Sequence, residues 1–259
     1  MLIYFINIAN RTDRRAFMEE QFRRLGLEAS RIAAVTPGDL TEADRRAKGQ
    51  HWITGVLSDA ALCCSISHRR ALEAFLASGQ AWALVLEDDA VLSARLPKFL
   101  MDFETTERDC LVVRIEAATH AHLTLRPTTI LVDGIRLHRY TGWSMGAAAY
   151  VVSREGARMI LADRLPLSTD IDVAIFHDVV ELARRLRPLQ ASPALAVQAH
   201  NVEDIKASHR ESDLAHTRFP TPKLLQLARA FHRDTVQAAH KAWWRFALGA
   251  KRTKVPFGD

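Results

Sequence analysis

Residues 82–89 read Trp-Ala-Leu-Val-Leu-Glu-Asp-Asp. Five apolar residues in an unbroken run fit a strand buried on both faces, the habit of strands in parallel sheets. The run passes directly into Glu87, Asp88 and Asp89. Three adjacent carboxylates at the end of a buried strand repel one another unless something offsets their charge. In open α/β sheets ligands bind beyond the carboxyl ends of the strands. Acids placed there can hold a divalent cation, which in turn neutralises a diphosphate. A solvated acidic turn is the competing reading of the same residues.

The flanking sequence supports an α/β sheet. Leu2–Ile8 is a second buried-strand run, halted at Asn10-Arg11-Thr12-Asp13. Phe17, Met18, Phe22 and Leu25 then recur at helical spacing, and Gly26 ends the helix. Ile32–Val35, closed by Pro37-Gly38, completes a β-α-β opening. Residues 39–58 are polar and read as a loop with a short helix. Asp59–Ala77 is helical in pattern, and Leu111–Ile115 is a further strand. Leu123–Leu137 predicts a hairpin turning at Asp133-Gly134. Gly146–Val152 predicts a strand with small residues at its start, and Ser153 is placed to cap a helix running to Leu161. A further helix is expected over Ile171–Leu186, and a late strand over Ala194–Gln198.

Composition narrows the class. Of 259 residues, 48% are hydrophobic and 25% charged, the balance of an ordinary globular domain large enough to bury its own core. Three cysteines, Cys63 and Cys64 adjacent, make no disulfide framework and suit a reducing compartment. The opening MLIYFINIAN lacks the basic start and the length of a secretory signal, and no apolar run is long enough to span a bilayer. Charge is unevenly placed. Residues 223–259 hold eight Lys or Arg against two Asp, a net +6, while the whole chain is +5. The remainder is close to neutral, which argues against a nucleic-acid-binding face.

Four further groups carry potential chemistry. Cys64 and His68 lie one helical turn apart, followed by Arg69 and Arg70. A Cys–His pair suggests a thiol nucleophile, but the sequence shows no third group to orient it. Asn10 to Arg15, at a strand's carboxyl end and a helix start, suits nucleotide phosphates, although no Gly-rich loop accompanies it. Arg114 and Glu116 alternate along a strand and so share a face, either as a structural pair or as a clamp for an acceptor hydroxyl. Asp170 and Asp172 precede a helix, where either caps it or serves as a general base.

In this order and spacing, the blocks resemble glycosyltransferase family 25, the bacterial lipooligosaccharide galactosyltransferase type. The matching stretches are the first strand with Asn10–Arg15, Cys64 to His68, Leu84–Asp89, Val113–Glu116, Gly146–Glu155, Asp172–Phe176 and Ser192–Gln198. The resemblance implies a GT-A-like α/β domain with a largely parallel sheet. It also implies inverting transfer of a hexose, usually galactose from UDP-galactose in β linkage, onto a sugar of a lipid-linked oligosaccharide. Asp89 and Asp88 then hold Mn²⁺ or Mg²⁺. Asn7, Arg11, Arg14, Ser67, His68, Glu87, Asp88 and Arg114 are candidates for the donor side. Asp172 is the first choice as base, ahead of Glu116, and Asp170 adds a second acid beside it. A non-catalytic nucleotide-sugar-binding protein on the same fold, or a glucosyltransferase with another acceptor, are the alternatives.

Residues 1–222 are read as the catalytic domain and 223–259 as a basic amphipathic extension. Leu224, Leu227, Phe231, Ala238, Ala242 and Phe246 recur at roughly helical spacing among basic residues, with Trp243-Trp244 late. That pattern suits an anionic membrane surface, and the expected location is cytoplasmic, at the inner face of the cytoplasmic membrane.

Overall fold

The structure is a computed structural model and describes residues 1–51, 55–106, 110–142, 146–202, 235 and 238–258. The elements are β1 (Leu2–Asn7), α1 (Thr12–Leu25), β2 (Ser30–Ala33), α2 (Glu42–Ala47), β3 (Gln50–His51), β4 (Gly55–Val56), α3 (Asp59–Ala77), β5 (Trp82–Glu87), β6 (Ala90–Leu92) and α4 (Leu96–Thr105). There follow β7 (Val112–Arg114), β8 (Ala118–Leu125), β9 (Leu131–Val132), β10 (Ile135–Thr141), β11 (Ala149–Ser153), α5 (Arg154–Ala162), α6 (Ile171–Phe176), α7 (Glu181–Leu186), β12 (Leu189–Ser192), β13 (Ala196–Gln198) and β14 (Lys251–Val255).

One sheet runs β14-β8-β10-β12-β7-β11-β5-β1-β2, with β9 paired on β10. β1 lies parallel to both β2 and β5, and β12 is parallel to β7. β11 joins the two parallel groups, antiparallel to β5 and β7. The result is an α/β fold around a mixed sheet. β1 shows why its sequence is apolar without alternation. Tyr4 and Ile6 pack on one face with Leu72 and Phe75 of α3. Ile3 and Phe5 pack on the other with Met18 and Phe22 of α1 and Phe99 and Phe103 of α4. A strand covered on both faces has no solvent side to make polar.

Helix α3 spans Asp59–Ala77, the range its pattern predicts. The Ser58 hydroxyl accepts from the Ala61 N–H at 3.1 Å. Ser153 caps α5 in the same way, 3.0 Å from the Gly156 N–H. The hairpin turn falls at Asp133-Gly134, both with positive φ (47° and 74°), as a tight primed turn requires.

The single helix expected over 171–186 is two. At the break, the Tyr140 hydroxyl donates to the Phe176 carbonyl at 3.0 Å, and the Thr141 hydroxyl to Asp178 Oδ2 at 2.6 Å. The end of β10 therefore supplies partners to the chain leaving α6, and His177 turns to extended backbone. Late in the chain, residues 238–248 are helical, and β14 pairs antiparallel with β8. Residues 251–255, which the sequence places in a basic extension, thus form the sheet's edge strand. The earlier part of that extension, including Leu224, Leu227 and Phe231, lies outside the described residues.

Candidate active site

The acidic run emerges at the carboxyl end of β5, between β1 and β11. Its three members do different work. Asp88 is a brace. Asn7 at the end of β1 donates to its Oδ2 at 2.7 Å, and Arg14 of α1 to its Oδ1 at 2.9 Å. Arg31 of β2 fixes Asn7 in turn, reaching its Oδ1 at 2.8 Å and its carbonyl at 3.0 Å. Burial pushes the Asp88 carboxyl up, opposed by Asn7 and Arg14. With both oxygens taken by protein donors, Asp88 ties β1, α1 and β5 together.

Asp89 is the contrasting case. Its Oδ1 is buried and has no hydrogen-bond partner among the described residues. Burial first, then the negative charges of Glu87 and Asp88, push its carboxyl up to about 8. A buried carboxylate oxygen left without a partner beside further acids suits a hard divalent cation. Of the three, Asp89 is the one with a carboxylate oxygen placed to meet such a cation, since both Asp88 oxygens are held by protein donors.

Glu87 turns the other way, towards α3. Its Oε1 lies 3.1 Å from His68 Nε2 and 3.9 Å from Cys64 Sγ. His68 Nδ1 meets the Tyr150 hydroxyl of β11 at 3.1 Å, and the two rings stack at 5.7 Å. The sequence left Cys64 and His68 without a third group; the fold supplies Glu87 and Tyr150, which no local spacing could have shown. Burial and the nearby acids hold the Cys64 thiol well above its ordinary value, so it is a poor nucleophile.

A cavity of about 150 Å³ opens beside these residues. Its apolar wall comes from β1 and the strand-to-loop exit of β2 (Ile6, Ile8, Val35, Pro37), and its polar wall from Arg14, His68, Glu87, Asp88 and Asp89. Ser67 also borders it, but its hydroxyl is engaged, donating to the Cys63 carbonyl at 2.7 Å and accepting from the Val35 N–H at 2.8 Å. Asn7, Arg11 and Arg114 do not line the cavity. Asn7 braces Asp88, and Arg11 pairs with Asp13 at 3.1 Å. Arg114 is fully buried, 5.5 Å over the Phe176 ring and 3.5 Å from Glu116 Oε2.

A second acidic pair meets at Gly146. Glu116 Oε2 accepts from the Ala148 N–H at 3.0 Å. Asp172 Oδ2 accepts from the Gly146 N–H at 2.8 Å, and its Oδ1 from the Val173 N–H at 2.7 Å. Gly146 has φ +109°, and a Cβ there would sit 2.3 Å from Glu116 Oε1. Only glycine fits both the backbone conformation and the approach of the acid. Burial is the main cause raising both carboxyls, Glu116 to about 7 against the pull of Arg114. Asp170 stands at the start of α6 but gives no side-chain cap to it.

Acids gathered where parallel strands end, beside a partly apolar cavity, define an α/β enzyme of the kind that binds a ligand at its strand ends. The sequence model of glycosyltransferase family 25 (LPS biosynthesis protein) matches residues 1–175, and the chain belongs to that family. It is a glycosyltransferase. No curated protein matches its sequence. Among solved structures, it is similar to a glycosyltransferase involved in the glycosylation of the major capsid of PBCV-1, at 11% identity and a TM-score of 0.43, covering 91% of this chain and 100% of that one. It is also similar to a mannose-1-phosphate geranyltransferase from Thermus thermophilus, at 11% identity and a TM-score of 0.35, covering 72% of this chain and 57% of that one. No shared activity follows from likeness at such scores.

Proposed function

We propose that the protein transfers a hexose, galactose from UDP-galactose ahead of glucose, with inversion onto a sugar of a lipooligosaccharide or lipopolysaccharide acceptor. The observation that carries this reading is Asp89, which lines the cavity and whose buried Oδ1 has no hydrogen-bond partner among the described residues. The nucleotide packs against Ile6, Ile8, Val35 and Pro37, and its diphosphate faces Asp89. Asp89 would hold a divalent cation, which would supply positive charge to the departing diphosphate.

This chain's own residues do the rest. The acceptor hydroxyl gives its proton to a carboxylate as its oxygen bonds to the anomeric carbon. The bond to the diphosphate breaks, and that group leaves with the electron pair. Inversion of an α-linked donor gives a β product. The sequence ranks Asp172 first as base; neither it nor Glu116 lines the cavity, and our reading puts Glu116 first. Both Asp172 oxygens hold backbone N–H groups, which makes it the residue that fixes the Gly146 loop. Glu116, held near 7, matches a base working at neutral pH.

The C-terminal helix extends the reading to a surface. Trp243 and Phe246 are 64% and 89% exposed, with Arg245 between them and Lys251, Arg252 and Lys254 following in sequence. Aromatic side chains among cations suit the headgroup region of an anionic membrane. No helix among the described residues is long and apolar enough to cross one. The proposed location is the inner face of the cytoplasmic membrane.

UDP release from a panel of UDP-hexoses, with Mn²⁺ and with EDTA, tests the enzymatic reading. Turnover of one UDP-hexose that needs metal and is lost in Asp89→Asn supports it. Absence of both turnover and calorimetric binding across the panel overturns it.

A further inference from the structure

Cys64, His68 and Glu87 meet where α3 crosses the end of β5, and their ligating atoms all lie within 4.8 Å of one another. Cys64 and His68 stand four residues apart on α3, so both side chains project from one face. Glu87 is presented to them from the next strand. The edges of a tetrahedron built from zinc–sulfur, zinc–nitrogen and zinc–oxygen bonds measure roughly 3.3–3.7 Å. The His68–Glu87 and Cys64–Glu87 separations, 3.1 and 3.9 Å, bracket that range without a cation to draw them in.

We infer that Cys64 Sγ, His68 Nε2 and Glu87 Oε1 form a binding site for a borderline-soft divalent cation of the zinc class, separate from the hard-cation position at Asp89. Three side-chain ligands leave one coordination position, and it faces the cavity that all three residues line. Ligand chemistry separates the two positions. Thiolate and imidazole favour zinc or cobalt, while carboxylate alone favours magnesium or manganese. A supporting partner is already in place. The Tyr150 hydroxyl lies 3.1 Å from His68 Nδ1 and can accept its proton, which leaves the Nε2 lone pair for the metal. Without a cation Cys64 and His68 both meet Glu87 Oε1, with the Cys64 thiol protonated. Loading exchanges that thiol proton for the metal, so binding releases acid.

The site stands whether or not the sugar donor is UDP-galactose, and its test involves no sugar. The metal-free, full-length chain is titrated with cobalt(II) chloride and followed by optical absorption. Surface histidines give no thiolate-to-cobalt charge-transfer band in the near ultraviolet; a Cys ligand does. The expected result is such a band, saturating at one equivalent and bleached by zinc. Cys64→Ser abolishes it, and Cys63→Ser with Cys110→Ser leaves it intact. Tyr150→Phe keeps the band but weakens cobalt binding about tenfold. No band in the wild-type chain overturns the assignment, and that outcome does not depend on any variant folding. A band that survives Cys64→Ser, or that disappears with the other two cysteines, overturns it equally.

Discussion

Substituting Asp89 by Asn tests the electrostatic basis of the metal reading. In the folded protein the Asp89 carboxyl is raised from its ordinary 3.8 to about 8, chiefly by burial. The unfolded chain therefore loses this proton near 3.8, while the folded chain keeps it to about 8. Between those limits the native state binds more protons than the unfolded state, and stability falls as pH rises. One proton corresponds to about 1.4 kcal/mol per pH unit. Asn carries no such proton. From about pH 5 to about pH 7, Asp89→Asn is expected to gain about 3 kcal/mol on the wild type. The assay is urea unfolding in EDTA at several pH values, with the two chains compared by midpoint at constant slope. Adding Mn²⁺ at about a hundred times its dissociation constant should return about 2.7 kcal/mol to the wild type and nothing to the variant. A stability difference that stays flat from about pH 5 to about pH 7 would refute the reasoning, because Asp89 would then be ionised throughout.

Other outcomes follow from single contacts. Glu116→Gln should lower turnover about a hundred- to ten-thousand-fold with donor binding retained, and wild-type activity should climb through about pH 7 as this base loses its proton. Gly146→Ala drives a Cβ against Glu116 in a left-handed backbone; it should cost about 1–3 kcal/mol in chemical unfolding and depress turnover as well. Arg14→Met leaves Asp88 with Asn7 but no cation, and should destabilise by about 3–5 kcal/mol unless low pH neutralises the acid. Trp243→Ser with Phe246→Ser should reduce co-sedimentation with anionic vesicles while leaving the melting curve in place. Removal of 223–259 is not an equivalent experiment, because it also strips β14 from the sheet.

The residues that sequence reasoning read well are those whose signals are local. α3 keeps the Asp59–Ala77 bounds of its pattern, β1 and β5 are apolar up to their last residue, and the turn at Asp133-Gly134 has the residues its backbone demands. What it missed depends on distant partners. Helix α4 starts with Leu96-Pro97 and was not anticipated, yet its Phe99 and Phe103 are fully buried and Phe103 meets Trp82 edge-on at 5.1 Å. β12, Leu-Gln-Ala-Ser, lacks β-branched residues and is a strand because β7 and β10 flank it. In the site, the acids were legible as a group but their roles were not. Only the fold shows Asp88 pinned by Asn7 and Arg14, Asp89 Oδ1 without a hydrogen-bond partner among the described residues, and Glu87 facing α3. Arg31 and Tyr150 gave no signal of their own, since each matters only through the residue it touches.

The β8–β14 pairing also bears on the order in which the chain can fold. Thr124 on β8 faces Arg252, so 127 intervening residues must be made before that edge is covered. During synthesis the nascent chain can assemble β1, β2 and β5 early, from neighbouring segments, while β8 waits with one row of N–H and C=O groups bare. Pairing across so long a loop is slow to form. The waiting edge is therefore the point at which a half-made molecule is most open to pairing with another copy of itself, and the place where a chaperone would do most good.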